Sequence, residues 1–320
     1  MKKEFPFKNL IQILQDRIPQ RGKLAELLAE ILGIEKEAVY RRLRGSVPFS
    51  FQEVHAIALY MGFSLDSIAE NISPVIPQIT VSTIKFIEQQ EKDFTRIKDF
   101  TESICRLKDD LSSESGAIGS IFPTSLYISY ENIHKFHIFK WSQQLEQPRK
   151  VKTFADVHIT EYAKQLNQEF VDSVHLLPKS VYIFDRQFLE YFISDIRFFF
   201  EIRLITREDI LLLKNDLHSL INDLERYTIN GCFDTGNKLE VFLANVHLDT
   251  NYNYMDASTY KLTMMRSFAF SDAYSFDEGV FQNLKNWLVF LKRTSTLISE
   301  GNVAERIRFF EQQRKLIEAI

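Results

Sequence analysis

Residues Lys23–Gly45, KLAELLAEILGIEKEAVYRRLRG, read as two short helices joined by a tight turn. Leu24, Leu27, Leu28, Ile31 and Leu32 recur at helical spacing and give the first segment one apolar face. Gly33 stands where that pattern breaks, as expected of a residue that leaves a helix through positive φ, and Ile34 plugs the turn. The second segment restarts at Glu35 or Lys36 and turns Ala38, Val39 and Leu43 inward. Its other face shows Lys36, Glu37, Tyr40, Arg41 and, towards the end, Arg44. A helix that is apolar on one side and basic with one aromatic on the other is shaped to lie on a phosphate-lined groove.

Outward from this pair, residues 8–18, KNLIQILQDRI, form a preceding helix with Leu10, Ile11, Leu14 and Ile18 inward. Downstream, Ser50 and Glu53 make a capping box that opens a fourth helix, ended by Gly62, and Ser64 starts a fifth, LDSIAEN. Residues 72–80, ISPVIPQIT, carry two prolines and no periodicity and read as a linker. The organisation expected is therefore a head over 1–72, a linker over 73–80 and a larger domain over 81–320.

LLAEILGIEKEAVYRRLRG followed by SFQEVHAIALYMGFSLDSI resembles the five-helix DNA-binding domain of Cro-like and phage-repressor-like (XRE-type) regulators. The resemblance rests on Ala29, Gly33, Ile34, Val39, Gly45 and the Ala56-Ile57-Ala58…Gly62-Phe63-Ser64-Leu65-Asp66 segment, and it covers residues 5–72. It implies a recognition helix that contacts double-stranded DNA through Lys36, Glu37, Tyr40, Arg41 and Arg44. It also implies binding as a homodimer to a palindromic operator. Two positions depart from the pattern: Ala25 stands where relatives often place a phosphate-touching Gln, and Glu35 where they tend to place Ser or Thr.

The chain has 320 residues, 45% of them hydrophobic and 26% charged, the composition of a globular protein of two or three domains. Its net charge of −4 looks wrong for a nucleic-acid binder. Residues 1–73, however, hold ten Lys/Arg against nine Asp/Glu, so the remainder carries the negative charge. Lys36, Arg41, Arg42 and Arg44 against Glu37 make the recognition segment locally +3, and a Debye length of roughly 8 Å screens distant charge from it. Cys105 and Cys232 are far apart and in no metal-ligand spacing, which reads as ordinary thiols in a reducing compartment. No apolar run approaches the roughly 18 residues of a membrane span. The start, MKKEFPFKNL, is not a secretory signal. A cytoplasmic protein without membrane partners is expected.

The larger domain reads as mostly helical. VSTIKFIEQQEKDFTRIKDFTESICRLKDDL carries Ile97, Phe100, Ile104, Leu107 and Leu111 as a short a/d seam, either a dimer contact or a face packed on its own domain. Ser112–Ser120 reads as a Ser/Gly-rich loop. VYIFDRQFLEYFISDIRFFFEIRLI is almost continuously apolar, with Phe184, Phe188, Phe192, Ile196, Phe199 and Phe200 along one stripe, and reads as an enclosed central helix. KLEVFLANVHLDT and TYKLTMMRSFAF alternate like strands. The fold class expected is thus mostly α: a five-helix head plus a helical domain with a small antiparallel hairpin or sheet near 238–270.

No enzyme motif is present: no GxSxG, no P-loop, no dinucleotide fingerprint. His134 and His137, behind Glu131, have a metal-compatible spacing but no HExxH or cysteine partner. His247, Asp249 and Asp256 have the composition of an ordinary interstrand loop. No cofactor or metal is expected. Twenty-eight Phe and twelve Tyr suit a helical core, and they leave room for an apolar effector site beside the Phe184–Phe200 stripe, with Arg197 and Arg203 on its margins. The function expected is a sequence-specific DNA-binding transcriptional regulator acting as a homodimer. The larger domain would serve dimerisation and the sensing of a small apolar molecule or peptide. Two alternatives stand beside it: a peptide-responsive helical-array regulator, and a protein-interaction module whose helix-turn-helix no longer touches DNA.

Overall fold

The computed structural model describes residues 5–63, 65–68, 80–83, 91–144, 151–266 and 271–320. Four helices open the chain: α1 (Phe5–Arg17), α2 (Arg21–Leu32), α3 (Lys36–Leu43) and α4 (Phe51–Met61). Where a fifth helix was expected the structure has one 3₁₀ turn, Leu65–Ile68; Ser64 and residues 69–79, which hold all of the expected linker but Thr80, lie outside the described residues. Gly33 ends α2 at φ 61°, and Ile34 N donates to Ala29 O at 3.2 Å, so the tight turn needs the residue without a Cβ. Ser50 Oγ accepts from Glu53 N and Glu53 Oε2 from Ser50 N, the expected capping box on α4. Leu10, Leu14, Leu24, Ala25, Leu28, Val39, Leu43, Ile57, Ala58, Met61, Phe63 and Ile68 close one core.

The rest of the chain is not mostly α. An eight-stranded sheet runs through it, in the order β1-β7-β6-β5-β2-β3-β4-β8. Its strands and helices follow in the order β1 (Thr80–Thr83), α5 (Glu91–Leu107), β2 (Glu114–Gly119), α6 (Thr124–Tyr127), α7 (Glu131–Ser142), α8 (Glu161–His175) and β3 (Lys179–Phe184). Then come α9 (Phe188–Glu201), α10 (Arg207–Asn230), β4 (Lys238–Leu243), β5 (Tyr252–Asp256), β6 (Lys261–Arg266), β7 (Ser271–Ser275), α11 (Glu278–Thr294), β8 (Thr296–Leu297) and α12 (Val303–Glu318). β2, β3 and β4 are parallel neighbours joined by helical crossovers, and β8 closes the edge antiparallel to β4. The class is mixed α/β, which replaces the expected helical domain with a small hairpin.

The differences have physical causes. Parallel strands covered on both faces read as short continuous apolar runs, which periodicity does not separate from a buried helix. Val181–Phe184 is such a run, fused in sequence to the helix that begins only at Phe188. Glu114–Gly119 reads as a loop because it is small and glycine-containing, yet it is β2. The smallness has a packing reason: a Cβ at Gly116 would stand 2.0 Å from Tyr254 Cε1. The 238–270 region also differs. β4 pairs with β3 and β8, whereas the hairpin is β5–β6, closed by Ala257 N to Tyr260 O at 2.9 Å. The parallel register is fixed at its amino ends by Lys179 Nζ, which lies 3.0 Å from Glu114 and 3.3 Å from Glu240.

The seam on α5 packs on its own domain, against α8: Ile104 and Leu107 are buried, and the Phe100 and Phe170 ring centres are 6.0 Å apart. Leu111, expected at the end of that seam, is 91% exposed. Around α9 the aromatic density fills a core: Phe122 meets Phe188 at 4.8 Å edge to face, and Phe136 meets Phe192 at 5.1 Å. The helix is only half enclosed, since Tyr191, Phe198 and Ile202 remain exposed on its outer side. Packing divides the chain into two compact units. One comprises residues up to Thr80 with Met255–Thr263 and Tyr274–Lys285, and the other the remainder. Among the described residues no helix is long and apolar enough to cross a membrane.

Candidate nucleic-acid interface

α3 is anchored from beneath by Val39 and Leu43, both buried, and Tyr40 is half-buried against the head core. What remains outward is Lys36, Glu37, Arg41 and Arg44. The structure therefore places all five expected DNA-contacting residues on α3 or its C-terminal cap, with Tyr40 the most covered. They differ in how they are held. Lys36 Nζ pairs with Glu26 Oε1 of α2, and Arg44 Nη2 with Glu37 Oε1 at 2.9 Å. Arg41 is exposed and has no carboxylate partner among the described residues. The Lys36 and Arg44 side chains are 56% and 53% exposed, so water already screens both pairs, and exchanging the carboxylate for a phosphate costs little.

Arg42, the fourth basic residue of the segment, is used differently. Its Nε lies 3.1 Å from both Glu53 oxygens and its Nη2 2.8 Å from Oε1, with the two side chains only 18% and 19% exposed. This bidentate pair ties α3 to the start of α4. The Arg42 guanidinium, together with the Ser50 N–H, holds the Glu53 carboxyl below its usual range against the effect of burial. Arg42 thus ties α3 to α4, while Lys36, Arg41 and Arg44 stay exposed. An open concavity lined by Ala29, Gly33, Ile34, Glu35, Lys36, Glu37, Ala38 and Arg41 lies where α2 meets α3. Ala25, which departs from the pattern of relatives, is fully buried. It is a core position here.

The other candidates separate. His134 Nδ1 is 3.1 Å from Asn167 Nδ2, and His137 stacks on Tyr127 with ring centres 4.0 Å apart. Burial lowers the pKa of both, that of His134 to about 4, so both rings are neutral at pH 7. Asp256 pairs with Lys261 and Lys285 and does not join His247. His247 Nδ1 instead donates to Asp185 Oδ2 at 2.9 Å, and Gln187 N donates to Asp185 Oδ1 at 2.9 Å. Sequence reasoning missed Asp185. Its signal is weak: an acidic residue directly after an apolar run, whose partner lies 62 positions downstream. Arg197 Nη2 donates to Ala319 O at 3.0 Å.

The class these features define is a protein with a helix-turn-helix head, whose third helix turns basic side chains to solvent, and a mixed α/β sheet in the rest of the chain. The comparison with known families agrees at the head: the family described as the BetR domain, a domain associated with helix-turn-helix regulators, matches residues 4–104. The match takes in all of α1–α4. No curated protein and no solved structure matches the chain.

Proposed function

We propose that this protein is a cytoplasmic, sequence-specific DNA-binding transcriptional regulator that acts as a homodimer on a palindromic operator. The observation that carries the reading is the exposed Arg41 at the centre of the outward face of α3, within a head that matches the BetR domain. Arg41, Tyr40 and Lys36 lie within about one and a half helical turns of one another and would face the major groove, while Arg44 and the α2 end would supply phosphate contacts. The α/β unit would then serve dimerisation and effector sensing. An eight-stranded sheet is not a helical repeat array, which disfavours the array reading. Buried Ala25 removes one of the two supports for a head that no longer touches DNA. Selection of bound sites from random double-stranded DNA by the full chain tests the proposal. It should return a two-fold symmetric motif, and recovery of unenriched sequence would reject it.

A further inference from the structure

α9 buries Phe188, Leu189, Phe192, Ile193, Ile196 and Phe199 on one side. On the other, Tyr191, Phe198 and Ile202 are 43%, 55% and 46% exposed. Spaced seven and then four residues apart, these three stand within about 40° of one another around the helix and form one apolar row. A single exposed apolar side chain is ordinary, whereas a row of large ones along one helix marks an interaction surface.

The pattern along the row specifies what covers it. Ser194, small and exposed, lies between Tyr191 and Phe198, where a second helix can approach closely. Glu190 and Arg197, both exposed and also seven residues apart, run along one flank. Arg197 donates one of its five N–H groups to Ala319 O, and the guanidinium stays in water. In a pair of α9 helices related by a two-fold axis at Ser194 and running antiparallel, residues equally far before and after Ser194 face each other. Tyr191 of one copy then lies against Phe198 of the other, and Glu190 beside Arg197, each contact made twice. A parallel pair would instead set Glu190 against Glu190 and Arg197 against Arg197, which like-charge repulsion opposes.

The size also fits. At their observed exposure Tyr191 and Phe198 alone leave on the order of 200 Å² of apolar surface in water on each copy. With Ile202 they make a plausible apolar core for an interface of about 800 Å² per copy, and Glu190, Arg197 and Glu201 make its polar rim.

We propose that α9 is a dimer seam, packing antiparallel on α9 of a second copy of this chain through Tyr191, Ser194, Phe198 and Ile202, with Glu190–Arg197 pairs at the rim. The proposal rests on the homodimer reading and assigns it a surface.

Sedimentation equilibrium of the full chain without DNA tests it. The wild-type chain should be dimeric at about 10 μM. Phe198→Glu brings charge into the apolar row of both copies and should raise the dimer dissociation constant about tenfold or more. Glu190→Lys and Arg197→Glu should each weaken the dimer by a factor of roughly two to five, and the double variant should recover most of that loss. Phe290→Glu, at a 53% exposed position on α11, should leave the dimer unchanged. Should Phe198→Glu fail to fold by circular dichroism, the two charge reversals and their double variant decide. A wild-type chain that stays monomeric up to about 100 μM overturns the homodimer reading and this seam together, and the row would then belong to a different molecule. A wild-type dimer that withstands Phe198→Glu, or in which the charge reversals show no mutual recovery, overturns the seam and leaves the homodimer standing. Equal weakening from Phe290→Glu overturns the seam as well.

Discussion

Arg41 and Arg42 are adjacent in sequence and point to opposite tasks. Arg41 faces water with no carboxylate partner among the described residues, whereas Arg42 is folded against Glu53 with less than a fifth of its side chain exposed. Arg41→Ala should therefore weaken binding to the selected site by about 1–3 kcal/mol while the thermal midpoint stays put. Equal weakening on random DNA would make Arg41 a phosphate contact instead. Arg42→Ala should do the reverse: it leaves Glu53 partly buried without its partner and lowers the stability of the head by about 1 kcal/mol, read by urea denaturation. A glycine makes the corresponding argument in the second unit. Gly116→Ala drives a methyl into the Tyr254 ring, whose hydroxyl is held by Glu114 Oε1 at 2.6 Å, so the ring has little freedom to retreat. A loss of about 1–3 kcal/mol is expected, partly recovered in the double variant with Tyr254→Leu. Additive losses in that pair would show that the clash is not the cause.

At the scale of elements, α7 carries two buried neutral histidines. In the native state His134 titrates at about 4 and His137 well below its usual value, while the unfolded chain takes up both protons near 6.5. Below that pH the unfolded state binds more protons, so stability is lost as pH falls from about 6.5 towards 4, by up to about 1.4 kcal/mol per pH unit for each ring. His137 Nε2 is buried without a hydrogen-bond partner among the described residues, so His137→Phe should be tolerated at pH 7 and should roughly halve that acid slope in a thermal-melt series. An unchanged slope would mean that the ring is not buried neutral. The same scale shows what was legible in the sequence. The first four helices of the head were, because their inward residues repeat at helical spacing, Gly33 ends α2, and the Ser50–Glu53 box and Gly62 bound α4. The parallel strands were not. β3 has no alternation to betray it, and β2 owes its small residues to Tyr254, 138 positions downstream of Gly116. That Lys36, Glu37, Arg41 and Arg44 stand on the outward side of α3 could be read from spacing alone. The difference in exposure between Arg41 and Arg42 depended on Glu53, which only the fold brings near.

For the whole molecule, the proposed reading sets charge and symmetry conditions on how DNA would be held. The head as a block of residues 1–73 is nearly neutral and the remainder acidic, so a single α3 offers few phosphate contacts and modest affinity. Two heads linked in one particle make the second engagement intramolecular and multiply affinity without new contacts. Light scattering of the full chain at micromolar concentration should therefore report a dimer. On DNA, two recognition helices related by a two-fold axis require half-site centres roughly 34–36 Å apart, about one helical turn. Inserting about five base pairs at the centre of the selected operator turns one half-site to the far side of the duplex, and affinity should fall to that of a half-site alone. Inserting about ten restores the facing but lengthens the span, so any recovery measures how far the pair of heads can reach. A monomer in solution that binds all three spacings equally would show that each head acts alone, and the role of the α/β unit would then not be dimerisation.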